Sequence, residues 1–183
     1  MNLRNLQEKD TPMMLEWMHD KDVIQFLKTN FAGMSIDDCQ KFIAGADKEN
    51  KDIHKAIVNE EDEYMGTVSL KHIANNMAEF AIAIRKKAMA KGIASAAMRE
   101  IIRYGFEEKK LNVIYWCVDE KNQRACHFYD KNKYTKIDIR NSEIIYLNAK
   151  KYYTVSQIEH YLWYAVYSCL LYTSDAADDL IGV

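Results

Sequence analysis

The sequence predicts an α+β layer fold, and three observations carry that prediction. Strand-like runs follow one another across short polar turns between His54 and Ile84, the apolar spacing turns helical at Gly92, and Val113–Val118 is almost continuously apolar and β-prone. At 183 residues the chain is long enough for one good core and short for two. With 49% hydrophobic and 28% charged residues and a single Pro, its composition is that of an ordinary globular protein, with no repeat or linker to divide it.

Taken in order, Leu3–Leu6 reads as the start of a half-buried strand. Asp10-Thr11-Pro12 offers a capping side chain and then Pro in a first helical turn, where its missing N–H costs nothing. Met14, Leu15, Met18, Val23 and Phe26 continue the apolar face of that helix. Ser35-Ile36-Asp37-Asp38 opens a second helix through Phe42 and Ile43. His54–Val58, Tyr64–Leu70 and Ala78–Ile84 are strands, separated by Asn59–Asp62 and Asn75-Asn76, and an antiparallel meander is the economical arrangement. From Gly92 a helix presents Ile93, Ala97, Met98, Ile101, Gly105 and Phe106, ending near Lys109-Lys110, where cations suit its C-terminus. Val113–Val118 has the pattern of a strand covered on both faces. A short helix over Gln123–Lys131 and a strand over Tyr134–Ile139 follow, and the capping box Thr154–Gln157 opens a last helix through Leu162 and Trp163.

The formal charge of -2 and the scatter of Lys and Arg argue against nucleic acid as a partner. No apolar run reaches membrane-spanning length and the N-terminus lacks a signal core, so a cytoplasmic protein without membrane attachment is expected. Cys39, Cys117, Cys126 and Cys169 form no CxxC pair, and the five His are isolated, so reduced packing thiols and no metal site are expected. The segment Cys169–Asp179 resembles the translation of a transposon-end sequencing adapter. Residues 1–168 are accordingly expected to be a single domain and 169–183 a non-native tail, with the natural C-terminus missing. Without the tail acids Asp175, Asp178 and Asp179 the charge is near neutral, so the apparent acidity carries no argument.

Two segments bear on function. At Met89-Ala90-Lys91-Gly92-Ile93-Ala94 a strand has ended and a long helix begins with small residues, an arrangement that serves either as a plain strand-to-helix turn or as a phosphate cradle of free N–H groups, with Lys86, Lys87 and Lys91 nearby. The second is Asn122-Gln123-Arg124-Ala125-Cys126-His127-Phe128-Tyr129-Asp130-Lys131-Asn132-Lys133-Tyr134. The first resembles the acetyl-CoA pyrophosphate loop of the GNAT superfamily, Gln/Arg-x-x-Gly-x-Gly/Ala. The second resembles its Asn-x-x-Ala-x-x-Phe-Tyr-x-Lys-x-Gly-Tyr segment, with Lys133 in place of the Gly. With Trp17, Asp20, Val23 and the Glu79 strand, the resemblance covers most of Leu3 to Ile139 and is nearest to the ribosomal-protein N-acetyltransferase-like branch. Met89 stands where Gln or Arg is usual and Ala90 where many relatives carry Gly, so a positive φ at Ala90 would be strained and cofactor affinity lowered.

That resemblance implies a GNAT-like sheet, mostly antiparallel, in which the strands of Glu79 and Val113 run parallel and splay apart around the pantetheine of acetyl-CoA. It implies direct acetyl transfer to a primary amine, on a small molecule or a protein N-terminus, by a monomer or homodimer. Such transfer needs a proton acceptor, since an alkylammonium has a pKa of about 10. Glu79, in an otherwise apolar strand, is the candidate base, with burial expected to raise its pKa; a solvent-facing strand residue is the alternative. Tyr129 matches the residue that protonates the leaving thiolate; otherwise it is a core aromatic. Backbone groups of Ala83, Ile84 and Arg85 are implied to pair with the pantetheine, residues Met89 to Ala94 to hold the pyrophosphate, and Asn122 and Ala125 to support the pantetheine arm, although Asn122 also suits a helix cap. Cys117 and Cys126 are not expected to be nucleophiles. Glu16, Asp20 and Asp22 fall near the acceptor side without naming the amine. Polyamines, aminoglycosides and nucleotide-linked amino sugars remain open as acceptors, and a non-catalytic acyl-CoA-binding module is the rival from another class.

Overall fold

The computed structural model describes residues 1–46 and 52–168; the tail expected from 169 to 183 lies outside the described residues. Seven strands form one sheet: β1 (Asn2–Asn5), β2 (Ile53–Val58), β3 (Tyr64–Ala74), β4 (Met77–Ile84), β5 (Val113–Asp119), β6 (Lys136–Ile137) and β7 (Tyr161–Tyr167), in the spatial order β1-β2-β3-β4-β5-β7-β6. Every pairing is antiparallel except that of β4 with β5. The helices are α1 (Thr11–Met18), α2 (Lys21–Ile24), α3 (Ile36–Gly45), α4 (Ile93–Glu107), α5 (Gln123–Lys131), α6 (Glu143–Ala149) and α7 (Val155–His160).

Alternation along the strands divides the core between the two faces. On one, Val68, Leu70, Ala78, Phe80, Ile114, Trp116 and Tyr164 pack beneath α4 and α5, with Met98, Ile101, Phe106 and Tyr129 facing down. On the other, α1 and α3 cover Ala56, Val58 and Tyr64, while Met77, Tyr115, Trp163 and Ala165 lie beneath α6 and α7. The parallel pair binds only through Met77↔Val113, Ala78↔Ile114 and Glu79↔Tyr115; beyond these the two strands diverge. The meander and the splayed parallel pair are both as expected.

Four expectations need correction. The first helix does not run on to Phe26: it stops at Met18, and Asp20 caps the separate α2 by accepting from the Asp22 N–H. Asp10 does not cap α1, because its buried carboxylate takes a two-pronged hydrogen bond from Arg4 and a third from the Gln7 N–H. The strand at Tyr134–Ile139 shrinks to Lys136–Ile137, since Asp138 accepts from the Arg140 N–H and turns the chain. The capping box at Thr154 is present, yet α7 ends at His160 and Leu162 and Trp163 belong to β7, which pairs with β5 along its whole length.

Candidate active site

Glu79 is the last residue of β4 still paired with β5, so its side chain sits where the splay begins, on the face of Met77. It is only 3% exposed, yet both carboxylate oxygens are engaged. Oε2 is 2.9 Å from His72 Nδ1, and Oε1 accepts from the Tyr153 hydroxyl at 2.5 Å and faces Lys71 Nζ at 3.4 Å. Burial pushes the Glu79 pKa upward, but the His72 hydrogen bond, the Lys71 charge and the Tyr153 hydrogen bond outweigh it and leave the group below its ordinary value. The expected rise is therefore reversed, by partners that local sequence pattern does not single out.

Those partners arrive by backbone geometry. The Asn75-Asn76 turn, with φ of 51° and 55°, pairs Ala74 with Met77. Between that pair and the next the register shifts, so that Lys71, not His72, lies opposite Glu79. The extra residue is a bulge, and His72 occupies it with φ 54°. Adjacent strand residues ordinarily face opposite sides; this bulge turns both Lys71 and His72 onto one carboxylate. The connection between α6 and α7 supplies the rest: Tyr153 reaches Glu79, and Tyr152 stacks on the His72 ring at 3.4 Å and 6°. Lys28 holds this connection by donating to the Tyr152 carbonyl and lying 4.2 Å over the Tyr153 ring. Beside His72 opens a cavity of about 480 Å³ lined by Lys41, Phe42, Asp52, His54, Ile73 and Tyr152, among others.

Tyr129 lies on the opposite face, on α5, buried against Phe128, Trp116, Tyr134 and Tyr164. Burial drives its hydroxyl well above the ordinary tyrosine range. Cys117, two residues beyond the last β5 position paired with β4, links the faces electrostatically: its thiol is pushed up to about 12 by burial and then by Glu79, and it raises Tyr129 in turn. Glu79 and Tyr129 thus lie on opposite faces of the sheet, with Cys117 of β5 coupled to both.

The backbone of the gap separates the implied trio of Ala83, Ile84 and Arg85. The Arg85 N–H donates to Met65 O, so by alternation Ala83 also points toward β3, while Ile84 and Ile82 direct their N–H and C=O groups, and Phe80 its C=O, at the edge that β5 has left. Ile82 and Phe80 were not among the expected cleft residues, and strand parity counted from a single known pairing would have found them. The Arg85 side chain is instead a buried tie, bonding Glu16, Glu63 and the Tyr64 carbonyl. At the end of the gap, Gly92 takes φ 74° as the N-cap of α4, and a Cβ there would meet nothing within 4 Å. Ala90 has φ 60°, the strained conformation anticipated from its sequence. Met89 Sδ lies 3.1 Å from Arg124 Nη1, bringing a guanidinium to the loop where the expected polar side chain is missing. Lys86 and Lys87 pair with Asp22 and Glu63. Asn122 does cap α5, its Oδ1 accepting from the Ala125 N–H at 3.1 Å.

An open strand edge leading to the N-terminus of a long helix, with a left-handed glycine at the junction, fits an extended acyl carrier ending in phosphates. Among the described residues no cluster of His, Cys, Asp and Glu is arranged to hold a metal ion, and no helix is long and apolar enough to cross a membrane.

Known proteins bear on the same features. The chain is 26% identical over 139 residues to acetyltransferase PseH of Campylobacter jejuni, covering 75% of this chain and 84% of that protein. It is 32% identical over 99 residues to spermidine N(1)-acetyltransferase of Escherichia coli, about half of either chain, at 50% and 53%. Among solved structures, an acetyltransferase (GNAT family) from Bacillus anthracis superposes with a TM-score of 0.69 at 19% identity over 91% of this chain and 93% of that one. The spermidine N-acetyltransferase of Vibrio cholerae in complex with CoA and spermine does so with 0.67 at 21% over 74% and 81%. Residues 1–135 match the model of the acetyltransferase (GNAT) domain, and the chain belongs to that family.

Proposed function

We propose that this protein transfers the acetyl group of acetyl-CoA directly to a primary amine, working as a cytoplasmic enzyme without a metal. The observation that supports it most is the unpaired edge of β4 beyond Glu79, which leads to the N-terminus of α4. In this reading Phe80, Ile82 and Ile84 offer backbone groups to the pantetheine, and residues 89–94 offer N–H groups to the pyrophosphate. Asn122 and Ala125 shape the turn beneath the arm. Glu79 belongs to the proton path on the acceptor side, and Tyr129 to the thiolate side.

The acceptor enters on the face of Glu79, through the cavity beside His72. Among the described residues its lining carries the acid Asp52 and the base Lys41, and Phe42 and Tyr152 supply aromatic wall. The aromatic wall suits the ring of an amino sugar as the acceptor. A protein N-terminus, as the resemblance to the ribosomal-protein branch suggests, would have to present itself as a narrow end.

Purified protein mixed with acetyl-CoA and a panel of aminosugars, peptides and polyamines, followed by free thiol release, tests this. Amine-dependent release is expected, and it should fall in Glu79→Gln and Tyr129→Phe. Acetyl-CoA binding without release to any amine would favour the alternative, an acyl-CoA-binding module, for which the strained Ala90 and the substituted Met89 speak. Absence of acetyl-CoA binding would refute both.

A further inference from the structure

We infer that His72 is the residue that takes the proton from the acceptor amine, that Glu79 positions it, and that the cavity beside it is where the amine binds. The inference rests on the transferase reading above and assigns its proton acceptor. Glu79 is itself poorly placed to receive that proton, being 3% exposed and having its two oxygens held by His72, Tyr153 and Lys71. An ionised carboxylate accepts only, so the His72 Nδ1 carries the hydrogen in the contact with Oε2. In the neutral ring Nε2 is then a lone-pair acceptor, and it makes no hydrogen bond among the described residues. His72 lines the cavity; Glu79 does not.

The backbone supports the same assignment. A non-glycine residue at φ 54° is strained, and such strain persists where its surroundings over-determine it. Here the His72 N–H donates to Asp52 Oδ1 at 2.7 Å, its carbonyl accepts from Asn148 Nδ2 at 3.4 Å, and its ring lies flat on Tyr152. A bulge that served only to end the hairpin would be relieved by Gly or Asn at this position. Among the described residues, the ionisable groups around the ring are Lys71 and Glu79 at the sheet, Asp52 and His54 from the β2 side, Tyr152 and Tyr153 from the α6–α7 connection, and Lys41 in the cavity lining.

In the transfer, the amine nitrogen's lone pair forms the C–N bond to the thioester carbon, and Nε2 takes the proton that this nitrogen sheds. The C–S bond breaks, its electron pair leaving with the sulfur, and the Glu79 carboxylate stabilises the imidazolium until its proton passes to water.

The test is His72→Asn, because Asn tolerates a positive φ and its amide can still donate to Glu79, while it cannot accept a proton at neutral pH. We expect a thermal midpoint at or above that of the wild type, an unchanged KM for acetyl-CoA, a kcat lower by about 100-fold or more, and partial recovery with added imidazole. A kcat within about threefold of wild type, or a loss that imidazole does not restore, overturns the assignment, since general-base catalysis is worth about 100-fold or more. Nitrogen NMR of the ring gives a readout independent of turnover: hydrogen on Nδ1 is expected, and hydrogen on Nε2 overturns it. A wild-type protein inert toward every amine would refute the transferase reading and this inference with it, whereas an active wild type with an active His72→Asn variant refutes the inference alone.

Discussion

Ala90→Gly should stabilise the protein, against the usual sign of such a change. Ala90 is largely free of core packing and holds φ 60°, so its methyl contributes little while its backbone sits in the left-handed region. That conformation costs an L-residue about 1–2 kcal/mol, and glycine removes the cost. Glycine also gives the unfolded chain more freedom, a loss of about 0.4–1 kcal/mol. The balance is a gain of roughly 0.5–1 kcal/mol, which in a domain of this size raises the melting temperature by about 1–4 °C. Calorimetry on the wild type, Ala90→Gly and Ala96→Gly measures it directly. Ala96 lies within α4, where the same replacement should cost about 1 kcal/mol, so the two variants should move in opposite directions. Because the loop already holds this shape, acetyl-CoA affinity should change little. A melting temperature that falls in both variants would refute the claim that Ala90 stores strain.

Other perturbations separate packing from chemistry. Glu79 is held below its ordinary pKa of 4.5, so it contributes stability that is present above that value and lost as pH falls through the lower folded value; acid denaturation followed by circular dichroism should show a smaller loss below pH 4.5 in Glu79→Gln than in wild type. Gly66→Ala would set a Cβ 2.3 Å from the Ala83 carbonyl oxygen, backbone against backbone, and urea titration should show a loss of about 2–3 kcal/mol. The half-buried Cys117 thiol, pushed up to about 12, should react more slowly with iodoacetamide at a pH of about 8 in the native protein than once denatured, as mass spectrometry of the modified peptide would report; equally rapid native alkylation would contradict the raised pKa.

What the sequence disclosed follows the range of the forces involved. Helix α5 was legible to the residue because Asn122 caps it locally and its own segment carries the family motif. The α3 capping box of Ser35 and Asp38 and the meander's turns are equally local. Strand β7 was misread because the Thr154 capping box is a genuine helix start, while its stop is set elsewhere: Tyr161–Tyr167 leaves the helix to pair with β5 over seven positions. Helix α6 escaped notice for a related reason, since Ile145 and Ala149 are buried against strands distant in sequence while Ile144 and Leu147 stay exposed.

The site divides along the same line. Glu79 was identifiable as one acid in an apolar strand, and the Asn75-Asn76 turn even predicts that something seven or eight residues earlier faces it. Counting back from a regular two-residue turn gives His72 opposite Glu79, whereas the structure puts Lys71 there and makes His72 the extra residue. A bulge of this kind leaves no glycine or proline to mark it. It exists because contacts from three other segments, Asp52, Asn148 and Tyr152, pin His72 where the hairpin alone would not hold it. The environment of Glu79 is therefore assembled from segments distant in the chain, and its pKa changes direction with them. A sequence can name the acid; the protonation behaviour of that acid belongs to the fold.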